Sequence, residues 1–404
     1  MLGYRKRSFF IAHSLLRELR ANLENLEVLK SLQQLLFREI VRTETKIRQL
    51  KSELRSVQAI RNKNSAKRSS YLRNRIDKVR QVAFTWRCFG DAIAFLYMDR
   101  FALKQCFYSI ENQNPKQDAG FLSDKSGLYN ELLLLEEALA SGVPALLTDL
   151  TNTIRHGDIC LMGESDPYLI EVKTSKELNS RGKRQRRALT KLREFFETDR
   201  ADDLRGFSNI RRAEIIGPEQ TRIDELKACI DQAIEKGVSV CQPELGLVYI
   251  AVTDSSAEFM GADLLSEIKS PWGYLLNEFK SKREWAPFYP FTLSILDADH
   301  LWNFIRGNLY LSVLFDEEAA CTIAKAKGHE INFDRENDLY PLRVKLPDSD
   351  QTAGISRQMI SRIAMEFLSL EWAITTFVEI VEKGHQDFAA ETGTVEGTVT
   401  TVSI

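Results

Sequence analysis

The sequence predicts an α/β protein with a mixed central sheet, preceded by a long helical region and followed by an α+β region. Two observations lead to this prediction. Apolar residues recur at three- and four-residue steps through residues 11–58 and again through residues 71–105, which is the period of an amphipathic helix. Between residues 127 and 253, short apolar runs typical of strands alternate with helical segments, which is the pattern of an α/β unit.

The composition is that of a folded, water-soluble protein. Of the 404 residues, 44% are hydrophobic and 28% are charged, which is enough apolar material for two or three domains. No apolar run reaches the roughly 18–20 residues that a membrane span needs, and no signal-peptide cleavage site follows the N-terminus. We therefore expect a cytoplasmic protein without membrane contact. The six cysteines lack a CxxC or Cys/His spacing, so buried thiols are expected rather than disulfides or a zinc site.

The charge is distributed unevenly along the chain. Residues 1–110 carry 23 Lys and Arg against 9 Asp and Glu, whereas the remainder carries 32 against 48. Nine of the basic residues lie between Arg61 and Arg87, with Asp77 as the one acid among them. This density suits a phosphate backbone, and a solvated helix face without a ligand is the alternative.

Residues 11–58 are expected to form one long amphipathic helix or a helical hairpin. Its leucine stripe contains an a/d seam, so coiled-coil pairing is expected, either within the chain or between copies. Pairing between copies would give a homodimer or a higher oligomer through the N-terminal helices. Residues 61–70 interrupt the period and are predicted to form a solvated basic connector before the next helix.

Four regions are expected along the chain. The polar segment 111–126 contains Pro and Gly and is predicted to separate domains. A helix should then end near Gly142, followed by strands in VPALLTDLT, HGDICLMG and YLIEVKTS, helices at 182–197 and 221–236, and a strand at 245–253. In the last third, strands are expected in FYPFTLSIL, LYLSVLF and YPLRVKL and a helix at 355–383. The predicted regions are a basic helical region at 1–110, an α/β domain at 120–255, an α+β region at 256–388 and a tail at 389–404 that is disordered or an edge strand.

The stretch HGDICLMGESDPYLIEVK contains the residues with the clearest chemical role. Asp158 enters one predicted strand, and Glu171 and Lys173 occupy alternate positions of the next, so their side chains share a face. If the two strands form a hairpin, Asp158 and Glu171 come together at one end of the sheet. Two such carboxylates favour a hard cation such as Mg²⁺ between them, and a nearby lysine can orient a hydroxide or stabilise charge on a phosphate. These groups suit metal-assisted hydrolysis of a phosphodiester bond.

This arrangement resembles the PD-(D/E)XK nuclease superfamily, whose catalytic domain has the restriction-endonuclease-like fold. Asp158 matches the first acid of the family pattern, and Glu171 with Lys173 matches the (D/E)-x-K element. Glu131 is the best match to the glutamate that the family often carries on the preceding helix, and Gly157 stands where the family has proline. The resemblance covers about residues 125–255. It implies Mg²⁺, with Mn²⁺ as an alternative, held by Asp158, Glu171 and Glu131.

The basic helix expected after this site fits the same interpretation. Some members of the superfamily carry a glutamine or a basic residue there, near the scissile phosphate, and Gln185 is the candidate catalytic residue of this helix. Lys183, Arg184 and Arg187 are expected to bind the nucleic-acid backbone. The alternative for each is a solvated basic face. The bare E-x-K triplet occurs at four other places in the chain, but only Glu171 lies in an apolar predicted strand.

The sequence therefore predicts a Mg²⁺-dependent nuclease acting on nucleic acid, with DNA favoured over RNA. A role in bacterial restriction or phage defence, and a protein partner, are expected by association with the superfamily. The alternatives are a structural salt bridge at Lys173, a non-catalytic nucleic-acid-binding protein, or a coiled-coil scaffold with an unused nuclease-like fold. Neither a GxxxxGK[ST] loop nor a GxSxG motif occurs, which argues against an intrinsic ATPase motor or a serine hydrolase.

Overall fold

A computed structural model of the chain describes residues 3, 5–59, 63–117, 120–125, 127–172, 180–213, 215, 217–257, 262–346 and 351–392. The chain forms two compact units. The first is drawn from Met1–Ile210 and Trp285–Leu293, and the second from Arg211–Glu284 and Ser294–Ile404. Among the described helices, none has a stretch long and apolar enough to cross a lipid bilayer.

The first unit begins with four helices, α1 (Lys6–Ala21), α2 (Leu26–Ala59), α3 (Lys63–Tyr97) and α4 (Arg100–Gln105). Helices α2 and α3 form an antiparallel hairpin whose buried seam includes Ile47, Leu50, Leu72, Ile76 and Val79. The leucine stripe is thus covered within the chain, which confirms the long helical region. Residues 11–58 are divided between α1 and α2, which pack against each other, and α2 pairs in turn with α3. The expected connector at 61–70 is wrong from Lys63 onward, because this segment contains neither Pro nor Gly and α3 extends through it.

A small antiparallel sheet follows the N-terminal helices. Helix α5 (Leu128–Ala140) leads into strands β1 (Ala145–Leu147), β2 (Ile159–Leu161) and β3 (Tyr168–Ile170), in the order β1-β2-β3. The expected mixed sheet is not what forms, because the connections between these strands are too short for the crossover that a parallel pair needs. Helix α6 (Ser180–Thr198) packs against β3, and a two-stranded ribbon of β4 (Arg200–Ala201) and β5 (Ile210–Arg211) follows.

The helical hairpin and this sheet belong to one unit. The side chain of Gln33 on α2 donates to the carbonyl of Ala145 at 2.8 Å and accepts from the amide of Leu147 at 3.2 Å, so it covers the outer edge of β1. On α3, the buried Asp91 accepts hydrogen bonds from the backbone amides of Asn152 and Thr153. These contacts explain why the compact units do not divide at the predicted border of 111–126.

The second unit contains two further antiparallel sheets. One has the order β6-β7-β9-β8, and the other has the order β10-β11-β12. Its elements, with α10 at the border of the units, are α7 (Ile223–Lys236), β6 (Val238–Glu244), β7 (Leu247–Val252), α8 (Ala262–Ser266), β8 (Pro271–Leu275), α9 (Leu276–Lys282), α10 (Phe291–Ser294), α11 (Ala298–Arg306), β9 (Tyr310–Asp316), α12 (Glu317–Ala326), β10 (Ile331–Phe333), β11 (Leu342–Lys345), β12 (Thr352–Ile355), α13 (Arg357–Met365) and α14 (Leu370–Thr392).

Three predictions for this part of the chain need correction. The expected strand at 245–253 forms as β7, but its two edges pair with β6 and β9 and not with the sheet of β1–β3. The apolar FYPFTLSIL segment contains helix α10 rather than a strand. The helix expected at 355–383 is two helices, because Phe367 takes a left-handed conformation with φ of 55° between them. Of the predicted tail, residues 389–392 continue α14, and residues 393–404 lie outside the described residues.

Candidate functional site

Three carboxylates from different elements converge on one ammonium group in the first unit. Lys125 Nζ lies 2.6 Å from Asp158 Oδ1, 2.9 Å from Asp149 Oδ2 and 3.1 Å from Glu131 Oε2. All three acids are buried, whereas the Lys125 side chain keeps 29% of its surface exposed. We call these four residues the Lys125 cluster. It contains two of the predicted site residues, Glu131 and Asp158.

Local structure places each carboxylate. Glu131 lies in the first turn of α5, where the exposed N–H groups of a helix favour negative charge. Asp149 lies in a single 3₁₀ turn that follows β1 directly. Asp158 immediately precedes β2, after Gly157, whose φ of 72° lies in the left-handed region. A proline cannot take this φ, so glycine at the position where the nuclease family has proline follows from the backbone conformation.

The backbone of β2 and β3 fixes Asp158 relative to Glu171. The amide of Asp158 donates to the carbonyl of Ile170 at 2.7 Å, and Asp158 Oδ2 accepts from the amide of Val172 at 2.8 Å. Ile159 and Ile170 are the last paired residues at this end of the two strands, and Glu171 follows Ile170 directly in the chain. Glu171 is half-buried, and the predicted Lys173 lies outside the described residues.

The charges in the Lys125 cluster act on one another. Burial raises the pKa of Glu131, and the negative charge of Asp158 raises it further, while Lys125 opposes both effects. Burial alone would lower the pKa of Lys125, but Asp149 and Asp158 outweigh it and hold this pKa above its ordinary value. With all three acids ionised, the cluster has two negative charges in excess. The ammonium is therefore held in its charged form, and the charge of the cluster is only partly compensated.

Helices α2 and α3 support the cluster from behind. Arg87 Nε donates to the backbone carbonyl of Asp149 at 3.0 Å, and Arg87 Nη2 donates to Glu44 Oε1 at 2.8 Å. Glu44 is buried, which raises its pKa, and its other oxygen accepts from the amide and hydroxyl of Ser123 at 3.4 Å each. One ion pair on the helical hairpin thus positions both the turn that carries Asp149 and the segment that leads to Lys125.

The predicted residues of α6 are placed differently. Gln185 is half-buried on the side of the helix that carries the buried Ala188, whereas Lys183, Arg184 and Arg187 are exposed. The guanidinium of Arg193 lies 4.5 Å from the centre of the Tyr168 ring, which sets α6 beside β3. Within the described residues, no hydrogen bond or ion pair joins Gln185 to the carboxylates of the Lys125 cluster.

Sequence reasoning missed Asp149 and Lys125. Asp149 interrupts the apolar run VPALLTDLT, and a charged residue within such a run is costly to bury without a reason. The same criterion singled out Glu171, so it would also have found Asp149. Lys125 gave no comparable signal, because it lies in a polar segment that reads as a loop between domains.

The donor set can be compared with the needs of Mg²⁺. Carboxylate oxygens are the donors this ion prefers, and the excess negative charge would be balanced by a divalent cation. The distances of 2.6–3.1 Å are those of hydrogen bonds to an ammonium and exceed the roughly 2.0–2.1 Å of Mg²⁺ coordination. In keeping with this, no group of three or more His, Cys, Asp or Glu side chains among the described residues is arranged to hold a metal ion. The chemistry of the donors fits Mg²⁺, whereas the geometry seen is that of an ammonium site.

Of the predicted site residues, Glu131 and Asp158 meet at Lys125, and Asp158 is tied to the segment that carries Glu171 by its hydrogen bond with the amide of Val172. Comparison of the chain with family models, with curated proteins and with solved structures found no match.

Proposed function

We propose that the chain is a metal-dependent nuclease that hydrolyses phosphodiester bonds in nucleic acid. The observation that supports this proposal most directly is the convergence of Glu131, Asp149 and Asp158 on one point at the end of the β1–β3 sheet. Three buried carboxylates around a single cation position are costly unless a cation stays there. DNA is the preferred substrate in this proposal, and the role in bacterial restriction or phage defence follows from the resemblance alone.

The residues that would hold Mg²⁺, or Mn²⁺ in its place, are Asp158, Glu131 and Glu171, and Asp149 joins them as a fourth candidate. A bound divalent ion lowers the pKa of a coordinated water and stabilises charge on the phosphate. The chain contributes the placement of its own groups. Arg87 and Glu44 hold the turn of Asp149, and the amide of Val172 orients Asp158.

Lys125 has a specific part in this proposal. Its ammonium draws one oxygen of each carboxylate to within 3.1 Å of a common point. It thereby keeps the carboxylates together without a metal, and a divalent cation would compete with it for the same oxygens. Lysine was expected at this site, but at position 173; in the described residues Lys125 supplies the ammonium, and Lys173 keeps its proposed role beside the phosphate.

Basic side chains of the first unit would hold the nucleic acid. Lys183, Arg184 and Arg187 are exposed on α6, which packs beside the strand leading to Glu171. On α3, the exposed Tyr71 ring lies between two guanidinium groups, with Arg68 at 5.1 Å and Arg75 at 5.8 Å. Guanidinium groups and aromatic rings are the groups that bind phosphates and stack on bases.

A second function is favoured by the same Lys125 contacts. Because Lys125 already compensates part of the charge of the three acids, the cluster is also stable as a structural ion network without a metal. The chain would then bind nucleic acid through its basic helices without cleaving it. The two functions differ in whether a divalent cation is needed and in what the loss of Asp158 does.

To test the proposal, the full chain is incubated with plasmid, linear duplex, single-stranded DNA or RNA, in Mg²⁺ or in EDTA, and cleavage of each substrate is measured. We expect the wild type to cleave at least one substrate only with the metal, because the metal supplies the activated water. Asp158→Asn and Lys173→Ala should stay folded and lose cleavage by at least about a hundredfold, the range for removing a group that acts in the transition state.

The matched control is Glu137→Gln, which changes an exposed carboxylate on the same helix as Glu131 and should cleave like the wild type. Binding of nucleic acid that is unaffected by EDTA, with no cleavage of any substrate, would establish the non-catalytic function instead. Cleavage by Asp158→Asn at the wild-type rate would show that the Lys125 cluster is not the active site.

A further inference from the structure

Two cysteines of the second unit face each other across the contact between α7 and β6. Helix α7 ends at Lys236, and strand β6 begins at Val238, so Gly237 alone turns the chain back on itself. Gly237 has φ of 86°, in the left-handed region, where glycine is the residue of lowest cost. This tight turn lays the helix directly on the strand, with Cys229 on one and Cys241 on the other.

The sulfur of each cysteine contacts the element that carries the other cysteine. Cys229 Sγ lies 3.6 Å from Ser239 Oγ on β6, and Cys241 Sγ lies 4.0 Å from the carbonyl oxygen of Glu225 on α7. Ser239 and Cys241 are two positions apart on the strand, and Glu225 and Cys229 are four apart on the helix, so each pair shares a face. The two thiols therefore lie on the facing surfaces of the same contact.

Cys229 Sγ also lies 3.8 Å from the carbonyl oxygen of Tyr249, the residue of β7 that pairs with Cys241, so it lies beside the Cys241 position of the strand. The neighbouring thiol of Cys241 lowers the pKa of Cys229. The pKa of Cys241 is raised by Cys229 and by burial. Cys229 is 1% exposed, whereas Cys241 is only half-buried. The pair thus combines one sulfur that an external reagent can reach with a second, buried sulfur of lowered pKa beside it.

We propose that Cys229 and Cys241 are a site of reversible disulfide formation, with a small-molecule disulfide as the oxidant. The half-buried Cys241 first gives up its proton, a step that its raised pKa makes slow, and then attacks one sulfur of the reagent. This forms a mixed disulfide and releases one thiolate, which takes up the proton that Cys241 lost. The thiolate of Cys229 then attacks Cys241 Sγ and releases the second thiolate, which takes up the proton of Cys229. Two protein thiols are oxidised, and the reagent is reduced to two thiols. The product links α7 covalently to β6.

The test uses the full chain, reduced and then exposed to glutathione disulfide, with thiols counted by maleimide labelling and mass spectrometry. We expect the loss of two of the six thiols. Trypsin cleaves after Lys227, Lys236 and Lys269, which places Cys229 and Cys241 on different peptides. We therefore expect peptides 228–236 and 237–269 joined by a reducible bond. Dithiothreitol should restore all six thiols.

Variants separate the pair from the other cysteines. Cys229→Ser should stop at a glutathione adduct on Cys241, because the attacking sulfur is missing. Cys321→Ser removes a half-buried thiol of the same unit and should leave the linked peptides unchanged. Six intact thiols in the wild type, a stable glutathione adduct on Cys241 there, or a bond to any other cysteine would each overturn the proposal.

Discussion

Lys125 is the residue that determines the chemistry of the carboxylate cluster. Its ammonium donates hydrogen bonds to three acids that stand between 6 and 33 positions away in sequence, and each acid accepts through one carboxylate oxygen. A buried carboxylate without a partner is costly, so the cluster depends on a cation at this point. At the scale of single residues, the main question is whether that cation is always Lys125 or is exchanged for a metal ion.

Lys125→Met keeps the length of the side chain and removes its charge. We expect the free energy of unfolding to fall by roughly 3 kcal/mol, because three buried carboxylates lose their counter-charge. Chemical denaturation in EDTA measures this loss, and Lys183→Met, at an exposed position of α6, is the matched control with an expected change within about 0.5 kcal/mol.

Under the proposed function, Mg²⁺ or Mn²⁺ should restore stability to Lys125→Met. A divalent ion that binds only the folded cluster raises the unfolding temperature, and more so when no ammonium competes for the same oxygens. Thermal unfolding with and without the metal gives the comparison. If Lys125→Met is as stable as the wild type in EDTA, the three acids do not need Lys125. If the metal raises the unfolding temperature of both proteins equally, Lys125 and the metal ion do not compete for the same oxygens.

At the scale of elements, the α2–α3 hairpin is a structural part of the β1–β3 module. Gln33 uses both ends of its amide to pair with β1, as a neighbouring strand would, and Arg87 holds the turn after that strand. An uncovered strand edge exposes unpaired backbone groups, and here a helix side chain satisfies them. The helices thus place Asp149 as directly as the sheet does.

Gln33→Leu removes this pairing at nearly constant side-chain volume. The carbonyl of Ala145 and the amide of Leu147 would then be left buried without their partner. We expect the free energy of unfolding to fall by roughly 2–6 kcal/mol, at about 1–3 kcal/mol for each of the two groups left unsatisfied. Urea denaturation measures the change. Gln34→Leu, at the adjacent exposed position of α2, should change stability little, and equal effects of the two variants would mean that the contact with β1 is not what stabilises the hairpin.

At the scale of the whole molecule, charge separates the N-terminal part from the rest of the chain. Residues 1–110 are rich in Lys and Arg, the remainder is acidic, and the basic α6 lies in the same compact unit as the helical hairpin. Binding of a polyanion should therefore depend on the first unit and weaken with salt, because counterions are released from the nucleic acid on binding.

The triple variant Lys183→Glu, Arg184→Glu and Arg187→Glu tests the α6 surface. Fluorescence anisotropy with a labelled duplex in EDTA should show weaker binding, and the slope of log affinity against log salt should become shallower by about 2 to 3 for the three lost phosphate contacts. The control Lys236→Glu, Lys325→Glu and Lys327→Glu makes the same change in net charge at exposed positions of the second unit. Equal weakening by both triples would indicate a net-charge effect and contradict a specific role for α6.

Local pattern was enough to predict much of the fold. The three- to four-residue apolar period gives the N-terminal helices, and the apolar runs locate β1, β2, β3 and β7, because both periods arise from neighbouring residues. Pattern failed where the outcome depended on distant partners or on one backbone angle. Strand β7 pairs with β9, some sixty residues later in the chain, and the left-handed Phe367 divides a segment whose apolar period runs on without a break.

The residues of the candidate site also fall into those that the sequence indicates and those that only the tertiary structure brings together. Asp158, Glu131 and Glu171 stand out in the chain as charged residues in or beside apolar elements. The pairing of β2 with β3, which adjoin Asp158 and Glu171, can be inferred from the short turn between these strands. That Asp149 completes the group, and that Lys125 lies at its centre, depends on how α5, the turn after β1 and the start of β2 pack together. No local sequence pattern predicts such a contact. The cost of burying a charge depends on which groups are close in space, not on their order along the chain.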